Sequence, residues 1–251
     1  MLFTRKFDDY FNHILNPYGF FILKGTHIFA KLLNETVLQY FTFRSVPSFI
    51  KGKKAFSMIA GIDTIYAETL SKAHLLAFAL DYKEFRLLDS SLNYKGADWN
   101  IYHYDNDSLT NTLQDAGNET VGNILALISY VDSLEKYVEF CKYMSPVRLY
   151  YADHLHIDSP LLIKTNNHES FQDLFDFSVS LFTQSSMTNR GNGSLSPEEK
   201  QHIIEGIQTC IVTPRDRVYA NPNLLDAVYE ELSRRQLANK SILTRYNIKT
   251  T

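Results

Sequence analysis

Within 36–44 and 55–62 apolar side chains fall on alternate positions, as at Phe41 and Phe43 and at Phe56, Met58, Ala60 and Ile62, and from Asp107 onward they recur at every third or fourth. Period two belongs to strands, whose side chains alternate between two faces; a period near 3.6 belongs to helices. A chain that passes from the first pattern to the second builds a sheet early and helices late. That is the α+β class: an antiparallel sheet with packed helices in the N-terminal part and an all-helical C-terminal part.

The sheet is expected from strands at 27–33 and 36–44, joined at Asn34-Glu35, and from a third at 55–62. In 36–44, Val37, Phe41 and Phe43 fall on one face and Thr36, Thr42 and Arg44 on the other; in 55–62, Phe56, Met58, Ala60 and Ile62 alternate with smaller residues. Pro47 and Gly52 mark the stretch 45–54 as a connection. Residues 73–82 fit strand and helix equally, and short strands are expected near 84–89 and 98–104, the latter with Trp99. Short links between successive strands predict an antiparallel meander with one face against helices.

Before the sheet, Thr4 is placed to cap a helix carrying Phe7, Tyr10, Phe11, Ile14 and Leu15, closed by Asn16, Pro17 and Gly19. After it, Leu109, Leu113, Val121, Ile124, Leu125 and Ile128 trace a helical stripe that Gly117 and Gly122 weaken. Asp132 with Glu135 forms a capping box for the next piece, and Pro146 closes that unit. The chain is therefore read as an α+β domain over 1–146 and a helical region over 147–251, either separate or packed on the same core. In the second part the pattern gives a helix over 168–182 and a polar linker at 184–194. Helix starts follow at Ser196-Pro197 with Glu199 and at Asn221-Pro222, and a short last helix covers 239–246.

Composition removes several function classes. With 251 residues, 45% hydrophobic and 21% charged, the chain can bury a sizeable core and is not disordered by composition. Only 10 glycines are present, with no phosphate-cradling loop and no dinucleotide fingerprint. A formal net charge of −3 with scattered lysines disfavours a duplex nucleic-acid binder. No apolar run reaches the length of about 18 residues that a membrane-spanning helix needs, and no secretory signal opens the sequence, so a cytoplasmic protein is expected. Cys141 and Cys210 lack any activating neighbour and read as reduced core thiols.

Chemistry-bearing residues are few. In Asp153-His154-Leu155-His156-Ile157-Asp158 an extended backbone puts His154, His156 and Asp158 on one side, a donor set suited to zinc or a harder divalent metal. The run resembles part of the ligand motif of metallo-β-lactamase-type hydrolases, and departs from it at Ser159, where that family has a histidine. No other cofactor is indicated. His103, close to Asp105 and Asp107, has the residue types of a base with an orienting carboxylate, and equally those of a solvated strand end. Tyr40, Phe41, Phe43 and Phe56 could stack bases, but without interleaved basic residues they read as core.

The first helix, Gly19-Phe20, Lys24-Gly25-Thr26 leading to Phe29, Phe85-Arg86-Leu87, and Trp99 before a helix from Asp107 together resemble a family of uncharacterised bacterial domains. The resemblance covers about residues 5–145. The strand with Arg86 lacks the glycine that the family's pattern carries after it. Some similar small α+β proteins act as immunity proteins against toxins, so the resemblance implies a helix followed by an antiparallel sheet and a binding role; it brings no catalytic residues. The sequence thus leads to a non-enzymatic module with a protein partner, immunity-like or effector-neutralising. The alternative is a metal-dependent hydrolase or nuclease built on His154, His156 and Asp158.

Overall fold

The computed structural model describes residues 2–67, 69–81, 101–137, 140, 196–207 and 222–248. The first helix, α1 (Leu2–Leu15), carries Phe7, Phe11 and Leu15 at four-residue steps, and all three are fully buried. It begins before Thr4, which lies inside it rather than at its cap. Phe3 explains the extra residues: its ring stacks on Tyr104 at 4.8 Å and meets Phe43 edge-on at 4.9 Å, so tertiary packing holds the first turn. The helix closes through a single turn of 3-10 helix, Asn16–Tyr18, and Gly19 at φ +82°. Gly19 N–H donates to Asn16 O at 2.9 Å and Phe20 N–H to Leu15 O at 3.3 Å, while Leu15 and Phe20 are both fully buried. That is a Schellman ending with its apolar clasp.

The sheet runs β1 (Phe21–Ile22), β2 (Phe29–Leu33), β3 (Val37–Val46), β4 (Lys54–Thr64) and β5 (Leu80–Asp81) in spatial order, with β6 (Ile101–Tyr104) also on β4. Every pairing is antiparallel. The long β3–β4 ladder runs from Val37↔Thr64 to Val46↔Ala55; β6 then pairs with Lys54–Ser57 and β5 with Ile59 and Ala60. The expected turn at Asn34-Glu35 is present, with φ +45° and +55°, the sign that a type I′ turn needs at both central residues. Glutamate there is strained relative to glycine.

Both faces of the central strands are covered, where one covered face was expected. On the face of Phe41, Phe43 and Phe56, α1 lays down its phenylalanines: Phe7 meets Phe43 at 4.5 Å and stacks on Phe11 at 4.4 Å. On the opposite face, Leu38, Tyr40 and Ile59 join one buried cluster with Leu75 of α2 (Lys72–Phe78) and with Leu243 and Ile248 near the C-terminus. Of the ambiguous stretch 73–82, the described residues 73–81 therefore resolve into a helix followed by β5. Ser71 caps α2, its hydroxyl accepting the His74 N–H at 3.2 Å.

Helix α3 (Leu109–Glu119) continues through a π-helical turn, Thr120–Ile124, into α4 (Leu125–Ser129). Gly117, which reads as a weak point in the helix, is where α1 comes close: a Cβ there would lie 2.6 Å from the Tyr10 ring and 2.9 Å from Ile14. Gln39, fully buried on β3, donates through Nε2 to Ile128 O at 2.5 Å and Val131 O at 2.9 Å, fixing the end of this helical run to the sheet.

By packing, the chain divides into two compact units, Met1–Ser133 with Leu237–Thr251, and Leu134–Gln236. Pro146, the expected joint, lies outside the described residues, as do the strand expected at 84–89, Trp99, the helix at 168–182, the linker at 184–194, Cys141 and Cys210. In the second unit α5 (Pro197–Ile207) starts as anticipated: Glu199 N–H donates to Ser196 Oγ at 3.2 Å and Ser196 N–H to Glu199 Oε2 at 2.9 Å.

The last helix, α6 (Pro222–Arg245), is one element of 24 residues, not two short ones. No proline or glycine interrupts it after Pro222, so nothing ends it before residue 245. It closes on Asn247 at φ +66°, with Ile248 N–H donating to Leu243 O at 3.0 Å, a second Schellman ending in which asparagine takes the glycine position. Asn239, fully buried within it, donates to Ile65 O at 2.9 Å and Ala67 O at 2.8 Å and accepts the Leu70 N–H at 3.0 Å.

Candidate functional site

His154, His156 and Asp158 lie outside the described residues. Among the described residues no group of three or more His, Cys, Asp or Glu side chains is placed to hold a metal ion. Three histidines do have close polar partners. His27 Nδ1 meets Asp8 at 2.9 Å, His74 Nε2 meets Asp63 Oδ2 at 2.7 Å, and His103 Nδ1 meets Ser48 Oγ at 2.9 Å. The His74–Asp63 pair is enclosed, with side chains 10% and 9% exposed, and Asp63 Oδ1 also accepts the Thr64 N–H at 2.7 Å. It ties α2 to β4.

A second, part-buried acid sits at the end of α3. Glu119 accepts a short hydrogen bond from the Tyr102 hydroxyl. Burial pushes its carboxyl above the usual range, and the Tyr102 bond offsets part of that rise. A folded-state pKa above the unfolded value contributes stability that is present below the unfolded pKa and lost as pH rises through the folded one. Glu119→Gln keeps an acceptor for Tyr102 and removes the titration. Its melting temperature relative to wild type is therefore expected to rise by roughly 2 °C from pH 4 to pH 7, after allowance for solvent screening of a part-buried group. Paired thermal melts at the two pH values check this, and a constant difference contradicts it.

The most outward-facing apolar element of the sheet is the connection between β3 and β4. Pro47 cannot donate to the ladder and ends β3. Gly52, at φ +80°, supplies the left-handed residue of a turn that Lys53 N–H closes onto Ile50 O at 3.1 Å. Between them Phe49 is 61% exposed and Ile50 41% exposed. The tip is nonetheless held. Ser48 Oγ accepts the Ile50 N–H at 3.2 Å, lies 3.1 Å from Ile50 O, and meets His103 Nδ1. Phe49 sets its ring edge-on to His103 at 4.1 Å and 71°.

The pairing His103↔Ala55 on β6 places that imidazole beside the tip. A serine hydroxyl has one proton and two acceptor sites. With its proton toward Ile50 O and one site taken by Ile50 N–H, the remaining site receives His103 Nδ1–H. His103 Nε2 is buried and has no hydrogen-bond partner among the described residues. Asp105, beside His103 in sequence, does not orient it: its carboxylate turns to Lys53 at 3.6 Å and to Ser108, whose hydroxyl and N–H hold it below the usual range. His103 braces the tip.

By sequence 45–54 is a plain connection; the exposure of Phe49 and Ile50 on it emerges only from the structure. The available signal was two large apolar residues in succession within a segment of proline, glycine and lysine. The aromatic residues Tyr40, Phe41 and Phe56 are fully buried, which excludes base stacking by them. Among the described residues no helix is long and apolar enough to cross a membrane. No family model matches the chain, and no curated protein and no solved structure matches it either.

Proposed function

We propose that this chain is a non-enzymatic protein-binding module, immunity-like or effector-neutralising in the sense that it acts by occupying another protein's surface. The observation that carries the reading is the braced, solvent-facing Phe49–Ile50 tip. Large apolar anchors that are already held in place lose little freedom on docking, and such residues dominate the energetics of interfaces.

Mild affinity purification of the tagged chain from its native cell, with quantitative mass spectrometry, tests it. One partner near equal stoichiometry is expected, reduced roughly tenfold or more by Phe49→Ser with Ile50→Ser, the loss of about 1.4 kcal/mol or more. A chain that comes out alone and turns over a substrate overturns the reading.

A further inference from the structure

The tip is basic as well as apolar. Lys51, Lys53 and Lys54 follow Phe49-Ile50 directly, in a chain whose formal net charge is −3. Lys53 is answered by Asp105 at 3.6 Å. Lys51 and Lys54 are exposed and make no ion pair within the described residues. Two ammonium groups with no ion pair among the described residues therefore stand beside two exposed apolar side chains, on a connection fixed by Ser48 and His103.

From this charge pattern we infer that the partner presents an apolar pocket rimmed by carboxylates, an inference that rests on the protein-binding reading above. The apolar pair fills the pocket while the lysines meet the rim, where charge complementarity sets encounter rate and partner choice more than raw affinity. A protein pocket is favoured over an anionic bilayer for two reasons. A fixed tip matches a shaped cavity, whereas a fluid surface gains nothing from that fixity. Two lysines without an ion pair among the described residues also fall short of the roughly four to eight in basic segments that bind anionic membranes, and the third, Lys53, is already met by Asp105 at 3.6 Å.

The test uses the full tagged chain in four forms: wild type, Phe49→Ser, the Lys51→Glu/Lys54→Glu pair and the Lys51→Arg/Lys54→Arg pair. All substituted positions are exposed, and matching thermal melts establish equal folding. The glutamate pair is expected to retain roughly tenfold less partner than wild type, and the arginine pair an equal amount. Raising salt from about 0.05 M to about 0.5 M should weaken wild-type retention, since rim charges are screened over that range. If the glutamate pair holds the partner as well as wild type, the acidic rim is wrong while the binding reading stands. If Phe49→Ser also holds it, the tip is not the anchor and the inference falls. If no form brings down a partner, both fall together. Vesicles of phosphatidylcholine with and without phosphatidylserine give the remaining arm: pelleting that needs both the anionic lipid and Phe49 overturns the inference in favour of a membrane surface.

Discussion

Asn239→Leu is expected to lower the stability of the first unit by about 3–4 kcal/mol, a large loss for one near-isosteric change. The side chain is fully buried, and all three of its partners are main-chain groups of Ile65, Ala67 and Leu70, residues at most 1% exposed. Leucine removes both donors and the acceptor together, leaving two carbonyls and one N–H in a dry site. Each such orphan costs about 1–3 kcal/mol, partly recovered by relaxation. Asn239→Asp keeps the acceptor for Leu70 but turns a carboxylate toward two carbonyl oxygens, so at neutral pH it should be at least as damaging. Chemical denaturation gives the size of the loss. Hydrogen exchange at the Leu70 amide gives its place, because that proton is held by Asn239 Oδ1. A loss below about 1 kcal/mol, with Leu70 still protected, would mean that the last helix is not what seats the 65–70 segment.

Asn239 also shows where sequence reading stops. Its partners are 169 to 174 residues away, and an asparagine in a polar-looking helix gives no sign of them. What was legible was local. The Asn34-Glu35 turn, the alternation through β3 and β4 and the Ser196–Glu199 box each follow from residues a few positions apart. What was not legible depends on distant chain. Leu38 and Tyr40 share a face with Thr42 and Arg44, which read as polar, and they are buried because Leu75 and Leu243 arrive from elsewhere. The start of α1 was misplaced because Tyr104 and Phe43 hold Phe3. At the candidate site, His103 was noticed as a residue but its partner was not: Ser48 is 55 positions away, and only the pairing of β6 with β4 joins them. The exposure of Phe49 is a tertiary property too, since the same residue in a connection could as easily have folded inward.

The second large effect is expected at Gly61. Tyr40 lies directly opposite it across β3 and β4, and a Cβ at Gly61 would sit 2.2 Å from the tyrosine ring end and hydroxyl. Tyr40 is fully buried, so its ring has no open space to move into. Gly61→Ala should therefore cost about 3 kcal/mol, the upper part of the range for overpacking a core. The sign of the effect depends on the ring. In a strand interior alanine is ordinarily better than glycine by about 0.5–1 kcal/mol, because glycine loses more backbone freedom on folding. Tyr40→Leu removes the clashing atoms, at its own cost of a cavity. In that background Gly61→Ala should be nearly neutral or mildly stabilising, which makes the coupling between the two sites about 3 kcal/mol. A double-mutant cycle by chemical denaturation measures it. Equal costs of Gly61→Ala in both backgrounds would show that the glycine is needed for its backbone and not for the ring above it. A coupling of the expected size would establish that Gly61 is required because the end of the Tyr40 ring occupies the space a Cβ would take.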